Sequence, residues 1–189
     1  MAVTALDKKT ALVLIDLQKG IVGRPLTPTP IETVLENSAA LVAAFRKAGL
    51  PIVVVNVIPP ANPGSRRSEA KMPPMQQLPE GFADIVPQID VQDNDIRITK
   101  HTWNAFYNTA LDEELKKAGV TGIVMAGVSS SIGVEGTARA AYERGYNLTF
   151  ANDAISDMNE KAHENSFGVI FPRMGEIDTT QAIVEKLGE

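Results

Sequence analysis

Residues 121–141, TGIVMAGVSSSIGVEGTARAA, constrain the fold more than any other stretch of the chain. An apolar run at Ile123, Val124, Met125 and Ala126 leads through Gly-Val-Ser-Ser-Ser into a helical pattern that starts at Gly133, Val134 and Glu135. A strand feeding a helix through small residues leaves free backbone N–H groups at the helix start, where the helix dipole adds partial positive charge. Such a turn lets a substrate come close and favours an anion or a developing negative charge. The helical part is amphipathic. Val134, Ala138, Ala141 and Tyr142 share one face, while Glu135, Arg139 and Glu143 recur at every fourth residue on another. Gly133, Gly136 and Ala140 form a slim side suited to lie against a sheet or a second subunit. The serines have two readings at this point, helix capping or a role in a site.

The strand-then-helix pattern recurs along the chain. Residues 11–15 (ALVLI) and 51–58 (PIVVVNVI) are apolar runs without alternation, as expected of strands covered on both faces. Between them, a proline-rich loop at 23–30 leads into a helix over 31–48, stopped by Gly49 and Pro51. A third strand reads at 95–99 (DIRIT), a fourth at 121–126 and a fifth at 146–151 (YNLTFA). Helices read at 109–118, 160–170 and 179–187. This alternation predicts one α/β domain over 1–189, with a mainly parallel sheet and helices on both faces joined by right-handed crossovers.

Two of these strands end in opposite charges, Asp16 and Lys100. In an open α/β sheet both would stand at the carboxyl edge, where such sheets bind ligands. For Asp16 a turn cap, and for the two together a structural salt bridge, are the alternatives. After Lys100 come His101, Thr102, Trp103, Asn104, Ala105, Phe106 and Tyr107, whose aromatics either wall an apolar pocket or pack in the core. The segment 59–80 holds six prolines and the adjacent arginines Arg66 and Arg67. Its length suggests a lid or binding loop, with the arginines meeting a carboxylate or standing in solvent.

Composition removes several classes of function. The chain has no cysteine, which excludes a disulfide framework, a thiolate metal site and a cysteine nucleophile. A formal net charge of −5 with no basic run disfavours a nucleic-acid surface. The opening MAVTALDKKT lacks a basic-then-apolar leader, and no apolar run approaches the ~18–20 residues that span a bilayer, so a cytoplasmic location is expected. The glycine signatures of nucleotide-binding versions of this architecture are missing.

Three motifs in order, LVLIDLQKG at 12–20, ITKHTWNAF at 98–106 and MAGVSSSIGVEGTARAAYERGYN at 125–147, resemble the isochorismatase-like hydrolase family over nearly the whole chain. The resemblance implies a six-stranded parallel sheet in an α/β/α sandwich, a cis peptide at Val128–Ser129 and a homo-oligomer. Amide-cleaving members use an Asp–Lys–Cys triad. Asp16 and Lys100 match its first two positions, whereas Gly133 stands at the third and offers no nucleophile. The histidine-rich metal site of nicotinamidases is unmatched, since His101 and His163 are the only histidines, and no metal or cofactor is implied.

Glycine at this position resembles the isochorismatases themselves. Their chemistry implies that Asp16 protonates the vinyl carbon of an enol-pyruvyl ether, water traps the cation, and pyruvate and a ring alcohol are released. Asp16, Lys100 and Gly133 are the expected catalytic positions. Gln18, Trp103, Phe106, Val128, Ser129, Arg66 and Arg67 are the candidates for contact with a small carboxylate substrate. Thr102 departs from the family pattern, where an arginine is usual, which leaves Arg66 or Arg67 to meet a second carboxylate. Other readings are a hydrolase of another small carboxylate or amide, and a silent binding protein. Lys100 favours the Asp16 carboxylate and apolar burial favours the acid, and the sequence leaves that balance open.

Overall fold

Uninterrupted apolar runs become strands here because both faces of each strand are covered. In the computed structural model, which describes residues 2–60 and 78–187, β1 (Thr10–Ile15) and β4 (Gly122–Val128) are buried along their whole length. Successive side chains of a strand point to opposite faces. Val13 and Ile15 accordingly join one apolar cluster, with Leu111, Leu115, Ala138 and Ala141, and Leu12 and Leu14 join a second, with Val34, Leu41, Phe45 and Ile183. The first cluster is covered by α3 (Leu111–Lys117) and α4 (Glu135–Glu143), the second by α2 (Ile31–Lys47) and α6 (Thr180–Lys186). Two short helices, α1 (Lys19–Val22) and α5 (Glu160–Asn165), lie among the connections.

The sheet is six-stranded and parallel throughout, in the order β3-β2-β1-β4-β5-β6, with β2 at Ile52–Val57, β3 at Ile96–Lys100, β5 at Asn147–Ser156 and β6 at Gly175–Asp178. This is the expected three-layer sandwich. Strand order reverses between β1 and β4, so their carboxyl ends flank the crevice where doubly wound sheets hold ligands.

Some boundaries differ from the sequence reading. Asp95 precedes the third strand, in a turn where its N–H donates to the Gln92 carbonyl at 3.1 Å and its carboxylate is held by Arg46 at 2.9 Å. The helix expected from Gly133 starts at Glu135, after a widened turn in which the Val134 N–H donates to the Ser129 carbonyl at 3.1 Å. The helix expected over 160–170 stops being regular at Asn165 and continues as a widened turn over Ser166–Ile170. The sixth strand, GEID, is a half-buried edge whose residues carry no apolar pattern. It is pinned by the chain start, where the Val3 and Thr4 N–H groups donate to Asp178 and Glu176, each at 2.9 Å. Among the described residues no helix is long and apolar enough to cross a membrane.

Glycine is required where β4 passes β1. Gly127 has φ +118°, and a β-carbon there would stand 2.1 Å from the Ile15 carbonyl oxygen, whereas Gly49, at φ +65° beyond α2, has nothing within 4 Å. Gly127→Ala is therefore expected to cost more than about 3 kcal/mol and Gly49→Ala only about 1–2 kcal/mol in urea unfolding. Equal costs would show that contact with β1 does not decide the residue at 127.

Candidate active site

Three strand ends supply the chemistry. Asp16 follows β1 in a left-handed conformation, φ +54°, and its N–H donates to the Val55 carbonyl at 2.9 Å. Lys100 closes β3, and its Nζ donates to Asp16 Oδ2 at 2.8 Å and to the Thr102 carbonyl at 3.1 Å. Asp16 is 6% exposed and Lys100 2%. The structure thus brings together the two charges that the sequence placed 84 residues apart.

Burial and the ammonium pull the Asp16 carboxyl in opposite directions, and burial prevails. Loss of solvation pushes its pKa up to about 6, against the Coulombic attraction and hydrogen bond of Lys100. A side chain of this kind exchanges a proton near neutrality. One oxygen is engaged by Lys100, while Oδ1, equally buried, has no hydrogen-bond partner among the described residues.

The turn after β4 holds the other side of the site. The Val128–Ser129 peptide is cis, and the Ser129 carbonyl accepts from the Ile132 and Val134 N–H groups. Ser130 Oγ donates to Asp157 Oδ2 at 2.9 Å and lies 3.1 Å from His163 Nδ1. Ser131 donates to the same Asp157 oxygen from both its N–H and its Oγ, each at 2.8 Å. Burial holds the His163 pKa below its ordinary value. Of the two readings for the serines, Ser130 and Ser131 take a structural one and fasten the turn to Asp157, while Ser129 lines the cavity.

At Gly133 a β-carbon would stand 3.0 Å from Ile15 Cγ2 and 3.2 Å from Asp16 Oδ2. Its absence leaves backbone, not side chain, beside the Asp16–Lys100 pair. These groups open onto a cavity of about 660 Å³, within the ~300–1,000 Å³ range of small-molecule sites. Val57, Phe82, Ile132 and Val128 contribute apolar wall, and Trp103, 68% exposed, stands at the mouth. Gly136, on the slim side of α4, faces the Trp103 segment, where a β-carbon would meet Trp103 Cβ at an ordinary contact distance of 3.5 Å. The Ala105 N–H donates to Thr137 Oγ1 at 3.1 Å and ties this segment to α4.

Two expected substrate contacts are corrected. Phe106 does not line the cavity. It is 5% exposed within the first core cluster, stacked with Tyr146 at a 6.0 Å centroid distance and capped by the Arg144 guanidinium at 4.9 Å. Gln18 is fully buried and its amide is fully engaged, Nε2 donating to the Val57 and Phe82 carbonyls and Oε1 accepting from the Val57 N–H. It joins β1, β2 and the Phe82 loop and does not line the cavity. Arg66 and Arg67 lie outside the described residues. The sequence reading missed Arg24, Tyr107 and Met158, which stand on the cavity wall. Tyr107 was legible as part of the aromatic run, whereas Arg24 and Met158 carry no local signal.

Comparison with known proteins agrees with this geometry. The isochorismatase domain model matches residues 10–182. An uncharacterised isochorismatase family protein of Bacillus subtilis, YwoC, is 39% identical over 186 residues, covering 95% of each chain. Maleamate amidohydrolase of Pseudomonas putida is 27% identical over 186 residues, 95% of this chain and 87% of its own. The structure of an isochorismatase family protein from Burkholderia thailandensis superposes with a TM-score of 0.90 at 35% identity, covering 98% of each chain.

Lys100 opposes the rise in the Asp16 pKa, so removing the ammonium removes a lowering influence. Lys100→Met is expected to move the Asp16 midpoint above about 6. A titration of the Asp16 carboxyl carbon by NMR reads it, and a midpoint that stays or falls would contradict the assignment of Lys100 as the group that lowers the Asp16 pKa.

Proposed function

The chain belongs to the isochorismatase family of hydrolases, and we propose that it cleaves an enol-pyruvyl ether, such as isochorismate, with water and without a covalent intermediate. One observation carries the reading: a buried carboxyl, with one oxygen unpartnered among the described residues and a pKa that burial pushes up to about 6, stands beside the bare backbone of Gly133.

The proton moves from Asp16 Oδ1 to the terminal CH₂ carbon of the vinyl group, whose π electrons form the new C–H bond. Positive charge develops on the adjacent carbon and is shared with the ether oxygen. Water adds to that carbon and returns a proton to the Asp16 carboxylate. The hemiketal then collapses: its hydroxyl gives up its proton as the carbonyl of pyruvate forms, the bond from that carbon to the ether oxygen breaks, and this oxygen, still on the ring, takes the proton, so that pyruvate and a ring alcohol leave. Lys100 stays on Oδ2, fixes the carboxyl and stabilises the anion left after the first transfer. Gly133 and Ser129 leave room for the substrate beside the carboxyl, and the apolar wall keeps bulk water from the cation.

A second reading follows from the maleamate amidohydrolase relative: Asp16 as a base that activates water toward a small amide. The two readings oppose each other in pH dependence. An acid must be protonated, so ether cleavage is expected to fall about tenfold per pH unit above pH ~6, whereas a base gains activity up to pH ~6 and levels off above it. In a lactate-dehydrogenase-coupled assay, pyruvate release from isochorismate should follow the falling limb and disappear in Asp16→Asn. Absence of pyruvate, or ammonia release from maleamate that rises with pH, would replace the first reading with the second.

A further inference from the structure

The cavity has a cation that the proposed reaction does not use. Arg24 stands at its exposed mouth, in the proline-rich loop after α1. Elsewhere on the molecule Lys19, Arg46, Lys116 and Arg139 are paired with carboxylates. Arg24 has no carboxylate partner among the described residues. Its Nη1 meets only the Met158 thioether sulfur, at 3.8 Å, a weak acceptor. A guanidinium has five donors, and among the described residues Arg24 spends one of them, on that sulfur.

Its loop is fastened in place. The Arg24 N–H donates to the Ile21 carbonyl at 3.2 Å, and a two-way bridge joins Thr27 to Asp157, with N···O distances of 2.7 and 3.1 Å. Asp157 is the residue that also holds Ser130 and Ser131. The mouth of the cavity and the turn beside Asp16 therefore share one anchor, which sets Arg24 in a defined relation to the reacting end. The floor ammonium, Lys100, is already committed to Asp16.

We propose that Arg24 binds a second, distal carboxylate of the substrate, so that the site takes a dianion: an enol-pyruvyl group at the Asp16 end and a ring carboxylate at the mouth, separated by an apolar body. This rests on the enol-ether reading of the site. It gives the second carboxylate a partner at a position other than Thr102, whose carbonyl is occupied by Lys100.

The test uses the single tryptophan, Trp103, which lines the same cavity and reports binding through its fluorescence before turnover in a stopped-flow experiment. The probes are the enol-pyruvyl ether of meta-hydroxybenzoate and that of meta-hydroxybenzamide, which differ only in the distal charge. The wild type is expected to bind the acid about tenfold more tightly than the amide. Arg24→Gln should remove that preference and Arg24→Lys keep part of it, because charge survives and the fork does not. Equal affinities in the wild type, a preference that survives in Arg24→Gln, or no quenching by either probe overturns the proposal. Pyruvate assayed in the same mixtures separates the two readings: a preference dependent on Arg24 without pyruvate release rejects ether cleavage alone, and pyruvate release with equal affinities rejects Arg24 alone.

Discussion

The Asp16–Lys100 pair is the constraint to which the rest of the molecule answers. Taking a carboxylate and an ammonium out of water costs several kcal/mol for each ion, and their attraction offsets this only when the geometry is good. A contact of 2.8 Å between groups from two different strand ends demands that β1 and β3 end at the same level of the sheet. The register achieves this through β2, which pairs Ile15 with Val55 on one side and Lys100 with Val57 on the other. The two apolar clusters supply the stability that lets the fold carry a strained electrostatic arrangement at its edge. What remains is a carboxyl that is neither firmly ionised nor firmly protonated, the condition required of a group that passes a proton back and forth.

Much of this was legible in the sequence, and for a physical reason. A strand buried on both faces has to be apolar at every position, so ALVLI and IVVVNV stand out, and a charge directly after such a run marks the sheet edge. Asp16 was found in this way, and Lys100 at the end of the alternating strand DIRIT. What could not be read depended on contacts between distant residues. The edge strand GEID has little apolar area to bury and is held by the chain start. The widened turn at Ser130–Val134 is attached to Asp157, more than twenty residues further on. Phe106 shares the aromatic run with Trp103, yet three residues along an irregular segment turn it into the core. Arg24 lies in a loop with no periodicity, and only the bridge from Thr27 to Asp157 brings it to the cavity.

Asp157 links these parts without lining the cavity. Its backbone holds the proline-rich loop, its Oδ2 holds Ser130 and Ser131, and its Oδ1 accepts from the Met158 and Asn159 N–H groups ahead of α5. Both oxygens of this buried carboxyl are engaged by donors, unlike Asp16, whose Oδ1 has no partner among the described residues. The site therefore holds two buried carboxyls in opposite conditions, one saturated with donors and one left short of partners among the described residues.

The missing β-carbon at Gly133 bears on how such a site changes over generations. Ile15 Cγ2 and Asp16 Oδ2 already stand 3.0 and 3.2 Å from the place that carbon would take. A side chain placed there would press on a fully enclosed isoleucine and on the carboxyl itself, each of which would have to give by a few tenths of an ångström. Any residue larger than glycine at 133 would reset the position of the Asp16 carboxyl, so drift at this position and the setting of that side chain are coupled.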